Sequence, residues 1–413
     1  MDKRIIQEYM KKANPWWDEN FKTLNLDYKS RDVYKEIARH LPIRLIIALT
    51  GLRRVGKTTI MTRLIVQKIA EGFDKRHILY FSFDEFSEER IMDLLDIYGE
   101  IFGKLDRSAK YVIVLDEIQR VKNWSEQLKA AYDLYPNIKL IISGSESLFI
   151  REKSRESLAG RIFEFKVNPL TFKEFLSFKG AKIDNLFLQR EEILKNLRQF
   201  LLTNGFPEII DYNEDDARKY IREGIIDKVI YSDSVQVFEV KDPALMKSIF
   251  DVIYNDPGQM IEIQGLAKEL GISRRILSNY LGYLEEAFLI KKLYNFSKNA
   301  RKTQRRLKRF YSTMINPLLL DSSFPKLFEQ FVAIQLNAEF FWRDVFKNEV
   351  DIVKIDPLTA IEVKAGEVRE KDLESLKKFI SKFKPKDAFV LSYDLEKVVG
   401  GIKVIPFYKY LLK

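Results

Sequence analysis

Four runs in the first part of the chain are almost continuously apolar: RLIIALT (44–50), HILYFSF (77–83), YVIVLD (111–116) and KLIISG (139–144). Short runs of this kind, rich in β-branched and aromatic residues, predict strands buried on both faces of a parallel sheet. Between them, TTIMTRLIVQKIAEGF and WSEQLKAAYDLY carry apolar residues at helical spacing. The alternation predicts a doubly wound parallel α/β sheet over residues 1–167, with RIFEFKV (161–167) as a fifth strand. From 168 to 239 the pattern turns helical, interrupted by a loop at NGFPEI (204–209). Residues 240–320 read as helices followed by a basic, strand-rich stretch. After a linker at DSSFP (321–325), residues 321–413 alternate helix and strand as a further α/β domain.

Composition narrows the chemistry. The 413 residues exceed one ordinary domain. Hydrophobic residues make up 46% and charged residues 31%, a globular balance. No apolar stretch is long enough for a membrane span, and the start, MDKRIIQEYMKKANPWW, lacks a secretory pattern, so a cytoplasmic location is expected. With no cysteine, disulfides and thiolate metal sites are excluded. The only two histidines, His40 and His77, read as structural, which leaves carboxylates and phosphates to hold any metal and points to Mg²⁺. Net charge is +10, and residues 241–320 hold 14 Lys or Arg against 7 Asp or Glu. Such a block repels itself unless a polyanion neutralises it or water solvates it.

Gly51-Leu52-Arg53-Arg54-Val55-Gly56-Lys57-Thr58, followed by Thr59, fits G-x-x-x-x-G-K-[ST] between an expected strand and an expected helix. The glycines let the main chain curl so that its N–H groups face phosphate oxygens. Lys57 is expected to reach the β- and γ-phosphates of ATP, and Thr58 to ligate Mg²⁺. Farther on, the apolar strand from Tyr111 ends in Asp116 and Glu117. Asp116 is expected in the Mg²⁺ shell and Glu117 beside the attacking water. Ser143 or Ser145 is placed to sense the γ-phosphate. Arg161 is a candidate for γ-phosphate contact, in cis or across a subunit boundary.

Residues 263–289 carry a second pattern. A short amphipathic helix, a Gly271-Ile272-Ser273 turn with Ser273 as N-cap and a second helix have helix-turn-helix spacing. Arg274, Arg275, Ser278 and Asn279 would begin a recognition helix. The basic residues Arg301, Lys302, Arg305, Arg306, Lys308 and Arg309 then fall where a β-wing would contact DNA phosphates. Packing or protein contact is the other use of such an element.

Near the end, Glu349–Val353 and Ala360–Lys364 read as adjacent strands. They bring Asp351, Glu362 and Lys364 together, with Glu329 on the preceding helix. This set matches the D…E-x-K core of the PD-(D/E)XK nucleases. There, Asp351 and Glu362 would hold Mg²⁺ or Mn²⁺ and Lys364 would orient water. An inactive nuclease fold kept for binding satisfies the same pattern.

Taken together, NPWW, GLRRVGKTT, YFSFDEF, LDEIQ, GSES, LAGR followed by PLTFKEF, and IEVKAG resemble the archaeal and bacterial AAA+-like ATPases with a C-terminal nuclease-fold domain. The resemblance spans most of the chain. It implies an AAA+-like sheet (1–167) with the Asp-Glu strand one strand removed from the P-loop strand. It also implies a helical lid (168–239), a winged helix (240–320) and a restriction-endonuclease-like domain (321–413). It further favours Arg161, because the family carries an arginine in the AGR position. The expected function is a Mg²⁺-dependent ATPase that binds DNA and cuts it. The alternative is an ATP-dependent switch or regulator that binds DNA or protein and cuts nothing. The pattern leaves homo-oligomerisation open.

Overall fold

Five of the apolar runs form strands in the computed structural model, which describes residues 2–21, 28–144, 157–299, 301, 303 and 307–412. They are β1 (Ile46–Thr50), β2 (Ile78–Ser82), β3 (Tyr111–Asp116), β4 (Ile138–Gly144) and β5 (Ile162–Lys166), ordered β2-β3-β4-β1-β5 and all parallel. One strand, β4, separates the Asp116 strand from the P-loop strand, as expected. Strands β1 and β3 are buried along their whole length, which is why they read as unbroken apolar runs. Helices Lys57–Ala70, Ile91–Phe102 and Trp124–Leu134 make the crossovers. The core beneath includes Leu79, Phe81, Ile113, Leu115, Leu128 and Ile142.

β2 is an edge strand, and an open edge invites stray pairing. NPWW covers it. The Asn14 amide donates to Tyr80 O at 2.8 Å and accepts from Tyr80 N at 2.6 Å, imitating a neighbouring strand. Both indoles, Trp16 and Trp17, donate to Ile78 O.

The chain divides into two compact units, Met1–Pro169 with Asp233–Val240, and Leu170–Ser232 with Lys241–Lys413. In the second unit nine strands among the described residues form one sheet. They are β6 (Met260–Ile261), β7 (Ile290–Asn295), β8 (Lys308–Ser312), β9 (Phe340–Arg343), β10 (Glu349–Ile355), β11 (Leu358–Lys364), β12 (Asp387–Ser392), β13 (Lys397–Val399) and β14 (Ile402–Pro406). Their order is β13-β14-β12-β11-β10-β9-β7-β8-β6. The sheet crosses the boundary expected at residue 320, because β7 pairs in parallel with β9. The helices after residue 170 join the same core, where Phe200 packs on Phe331 of helix Phe324–Gln335. Helix Glu374–Phe383 belongs to a second apolar cluster, with Trp342, Val353, Ala360 and Val390. Among the described residues no helix is long and apolar enough to cross a membrane.

Candidate functional site

The P-loop leaves β1 at its carboxyl end. Gly51 adopts φ +146°, and a Cβ there would stand 2.1 Å from Val167 O, so only glycine fits. Gly56, at φ +94°, is the N-cap of helix Lys57–Ala70, which has no side-chain cap. Its first N–H groups therefore face the loop, as an anion site requires. Lys57 is buried and folds back, its Nζ donating to Gly51 O and Leu52 O at 2.9 Å. Leu52 and Val55 anchor the loop in the core, Arg54 points outward at φ +65°, and Thr58 and Thr59 are exposed at the helix start. A buried arginine that no motif flagged, Arg31, braces the loop. It donates to Val55 O at 3.1 Å and to Asn168 O at 2.9 Å.

Four donors converge on Asp116, which is almost fully buried. Thr58 Oγ1 and the Tyr80 hydroxyl donate to Oδ2 at 2.8 and 2.9 Å. Ser143 Oγ and the Glu117 N–H donate to Oδ1. Parallel register brings them together: Ser82 lies opposite Asp116, and Leu49 opposite Ser143, at the carboxyl ends of the strands. Tyr80 sits 36 positions from Asp116 in sequence and carries no motif. Burial and the Asp116 charge hold its hydroxyl protonated, with a pKa pushed well up. Glu117 follows in a left-handed conformation, φ +54°, its carboxylate held by Gln119. Thr58 and Asp116 are hard oxygen donors at hydrogen-bond distance beside the loop, a set that suits Mg²⁺ shared with phosphate. Ser145 lies outside the described residues.

The returning segment Asp233–Val240 adds an acid that sequence reasoning missed. Asp233 Oδ1 pairs with Arg53 at 3.2 Å, and Oδ2 is buried without a hydrogen-bond partner among the described residues. Burial raises the Asp233 carboxyl to about 6. The Glu117 charge adds to the rise, against the pull of Arg53. Arg120 ties the segment down by pairing with Asp84 at 2.8 Å and Gln236 at 3.0 Å.

Arg161 is not part of this site within its own chain. It precedes β5, whose Ile162 lies opposite Ile46 at the amino end of β1. The P-loop leaves the opposite end, five residues or about 16 Å away at strand rise. Arg161 pairs instead with Asp133 at 3.2 Å. The expectation of a γ-phosphate contact in cis fails on sheet direction.

In the second unit, helix Ile263–Glu269 and helix Arg274–Glu286 flank the expected turn, and Ser273 Oγ caps the second helix at Ile276 N. Leu277, Tyr280, Leu281 and Leu284 face inward, while Arg274, Arg275, Ser278 and Asn279 are exposed. Arg301 is exposed. Lys308 is half-buried, its Nζ over the Tyr294 ring at 5.8 Å. Lys302, Arg305 and Arg306 lie outside the described residues.

Arg309 departs from expectation. It is 5% exposed and turns away from solvent, so it cannot serve as a phosphate contact on a wing. Its guanidinium donates to Glu329 Oε1 at 2.6 Å and to Glu349 Oε1, and lies 3.9 Å from Asp351 Oδ1. One face rests on the Phe341 ring at 4.9 Å. Of the four expected nuclease-like residues, Glu329 and Asp351 lie beside it, while Glu362 and Lys364 pair with each other. Val363 N donates to Asp351 Oδ2 at 2.8 Å across the β10–β11 hairpin, and Lys364 Nζ donates to Glu362 Oε1 at 2.7 Å. A register shift between Val350 and Val353 re-aims the side chains around Asp351. Glu362 Oε2 is buried with no partner among the described residues. Burial drives the Glu362 carboxyl well up, and the Asp351 charge adds to the rise. Tyr311 donates to Glu329 at 2.5 Å, and burial lifts Glu329 to about 7.

A metal ion does not fit this arrangement. Among the described residues no group of three acids or histidines is disposed to hold one. A divalent ion on Asp351 would have to share that acid with the Arg309 guanidinium, 3.9 Å from Oδ1.

The sheet and P-loop define the class, and comparison agrees. Residues 44–176 match the profile of an AAA domain, so this part of the chain is similar to AAA-type, ATPase-like domains. Residues 194–317 and 325–410 match two profiles described as domains of unknown function (DUF8612 and DUF4143). Among relatives, the uncharacterized protein MJ1637 of Methanocaldococcus jannaschii is 29% identical, covering 89% of this chain and 84% of that one. Protein MJ1544 of the same organism is 30% identical, covering 66% of this chain and 62% of that one. Among solved structures, the Walker-type ATPase PABY2304 of Pyrococcus abyssi aligns with a TM-score of 0.45 at 16% identity, covering 74% of this chain and 99% of that one.

Proposed function

We propose that the protein is a Mg²⁺-dependent ATPase that binds DNA through its second unit and acts as a switch without cutting the strand. The observation that carries the first part is the meeting of Lys57, Thr58, Asp116 and Glu117 at the carboxyl ends of β1 and β3. Lys57 exchanges its two loop carbonyls for β- and γ-phosphate oxygens when nucleotide enters. Thr58 and Asp116 would hold Mg²⁺, which would supply positive charge to neutralise the transferred phosphoryl group. Ser143 and Tyr80 fix the Asp116 carboxylate, and Ser143 senses the γ-phosphate through it. Glu117 orients the attacking water and takes up its proton.

DNA binding is supported by the exposed face of Arg274, Arg275, Ser278 and Asn279 on a helix preceded by a capped turn, within a basic stretch. The absence of cutting is supported by the guanidinium inside the carboxylate cluster. Arg161, at the far end of its own sheet, would serve only a neighbouring subunit's nucleotide. Three assays test this reading. Lys57→Ala should lower ATP turnover by about 100-fold or more. Arg274→Glu with Arg275→Glu should abolish retention of duplex DNA, and parent retention should weaken steeply with salt. Plasmid incubated with parent, ATP and Mg²⁺ should stay uncut. Turnover by Lys57→Ala at the parent rate would end the ATPase reading, and salt-independent retention would end the DNA reading.

A further inference from the structure

Asp351 of the D…E-x-K set and Glu329 of the helix before it lie beside a cation that the chain itself supplies. Arg309 reaches them from β8, a strand that enters the sheet only because β7 joins β9. Its two terminal nitrogens engage Glu329 and Glu349, with Asp351 at 3.9 Å, and the Tyr311 hydroxyl lies 3.4 Å from Nη1. Arg343 shares Glu349 at 3.3 Å, and Lys364 takes Glu362. Four carboxylates (Glu329, Glu349, Asp351, Glu362) therefore face three cations (Arg309, Arg343, Lys364). Among the described residues Glu362 Oε2 is buried without a hydrogen-bond partner.

We infer that Arg309 is a resident counter-ion standing where a nuclease fold would carry a divalent metal, and that its guanidinium keeps such ions out. A planar fork with fixed donors bridges two carboxylates as a metal would, yet it offers no exchangeable coordination position for a phosphate or a water. The Phe341 face holds the fork in place. With the guanidinium removed, Asp351 and the unpartnered Glu362 oxygen become the pair that accepts a divalent ion, with Lys364 already beside Glu362. The inference shares with the proposed function only the absence of cleavage, and a metal readout separates the two.

The experiment titrates Mn²⁺ into the nucleotide-free full-length protein and counts bound ions by electron paramagnetic resonance. Parent, Asp351→Asn, Arg309→Met and Arg309→Met with Glu329→Gln are compared. The last variant removes one charge of each sign, so it folds where the single change leaves carboxylates unpaired. Near-ultraviolet circular dichroism establishes folding. Parent and Asp351→Asn should bind Mn²⁺ alike up to about 1 mM. The folded Arg309 variant should gain one site, tighter by about tenfold or more and erased by adding Asp351→Asn. A parent site that disappears in Asp351→Asn would overturn the inference. So would a folded Arg309→Met, Glu329→Gln protein that gains no site. Loss of ATP turnover in Lys57→Ala bears on the other unit and leaves this result untouched.

Discussion

Two clusters in this molecule gather carboxylates on buried strands, and they differ in what neutralises them. Around Asp116 the partners are neutral donors, from Thr58, Tyr80, Ser143 and a backbone N–H, while the nearby ammonium of Lys57 is parked on carbonyls. Among the described residues these neutral donors hydrogen-bond to Asp116, and the hydroxyls among them add hard oxygens suited to a shared cation. Around Asp351 and Glu329 the partner is a guanidinium, so a cation is already in place. Both motifs were complete in the sequence. The difference lies in a single side chain from a distant strand, so a motif states what a site could bind, and its neighbours decide whether it does.

The sharpest way to break the comparison is to neutralise one acid in each cluster. Glu117→Gln should lower kcat for ATP by about 1,000-fold, within the range of general-base losses, with nucleotide affinity retained. Glu362→Gln should leave ATP turnover at the parent level. Steady-state kinetics and fluorescent-nucleotide titration check both. Equal losses in the two variants would mean that the second cluster contributes to hydrolysis.

The two P-loop glycines give the next largest effect and separate fold from ligand. Gly51→Ala drives a Cβ to 2.1 Å from a backbone oxygen, so denaturant unfolding should show a loss of about 3 kcal/mol. Gly56→Ala meets no atom within 4 Å and retains only the penalty of its positive φ, about 1 kcal/mol. Its main effect should appear as weakened nucleotide binding.

How much of this was legible depends on sequence distance. The P-loop is one contiguous segment, and its strand and helix flank it directly, so motif and context were read together. The β10–β11 hairpin was also legible, because eleven residues bring Asp351 opposite Glu362. Arg309 was not, since its acids lie 20 and 40 positions away and its strand was expected in a separate wing. Within that basic stretch nothing in the sequence marks Arg309 as turning inward. Arg161 differs, because a signal existed. A residue before a parallel strand lies at the amino end, opposite a loop that follows one, so the strand assignment already placed it away from the P-loop. Asp233 and Arg31 carry no motif at all, and only the fold brings them to the loop.

Asp233 supplies a pH test of the first unit. Its folded pKa of about 6 lies above the ordinary carboxylate value, so the folded state holds the extra proton between about pH 4 and 6. The stability this contributes is present below the unfolded pKa and is lost as pH rises through 6. Asp233→Asn removes the titration. The stability difference between parent and variant should therefore shift against the parent by of order 2 kcal/mol across that window, read from unfolding midpoints at each pH. A flat difference would place Asp233 in water, without the burial and Arg53 pairing seen here.

The smallest effect probes the comparison most closely, because each cluster has one tyrosine donating to an acid: Tyr80 to Asp116 and Tyr311 to Glu329. Removing either hydroxyl deletes one charge-assisted hydrogen bond from an acid that keeps other partners, which puts the cost near the low end, about 1 kcal/mol. The consequences should diverge. Tyr80→Phe loosens the carboxylate that meets Thr58, so kcat should fall by less than about tenfold with little change in unfolding midpoint. Tyr311→Phe removes a donor from a closed ion network, so it should lower the second unit's unfolding midpoint and leave ATP turnover alone. If Tyr80→Phe lowered only stability, the Asp116 network would be structural like its counterpart, and the contrast between a site awaiting a cation and one already holding it would disappear.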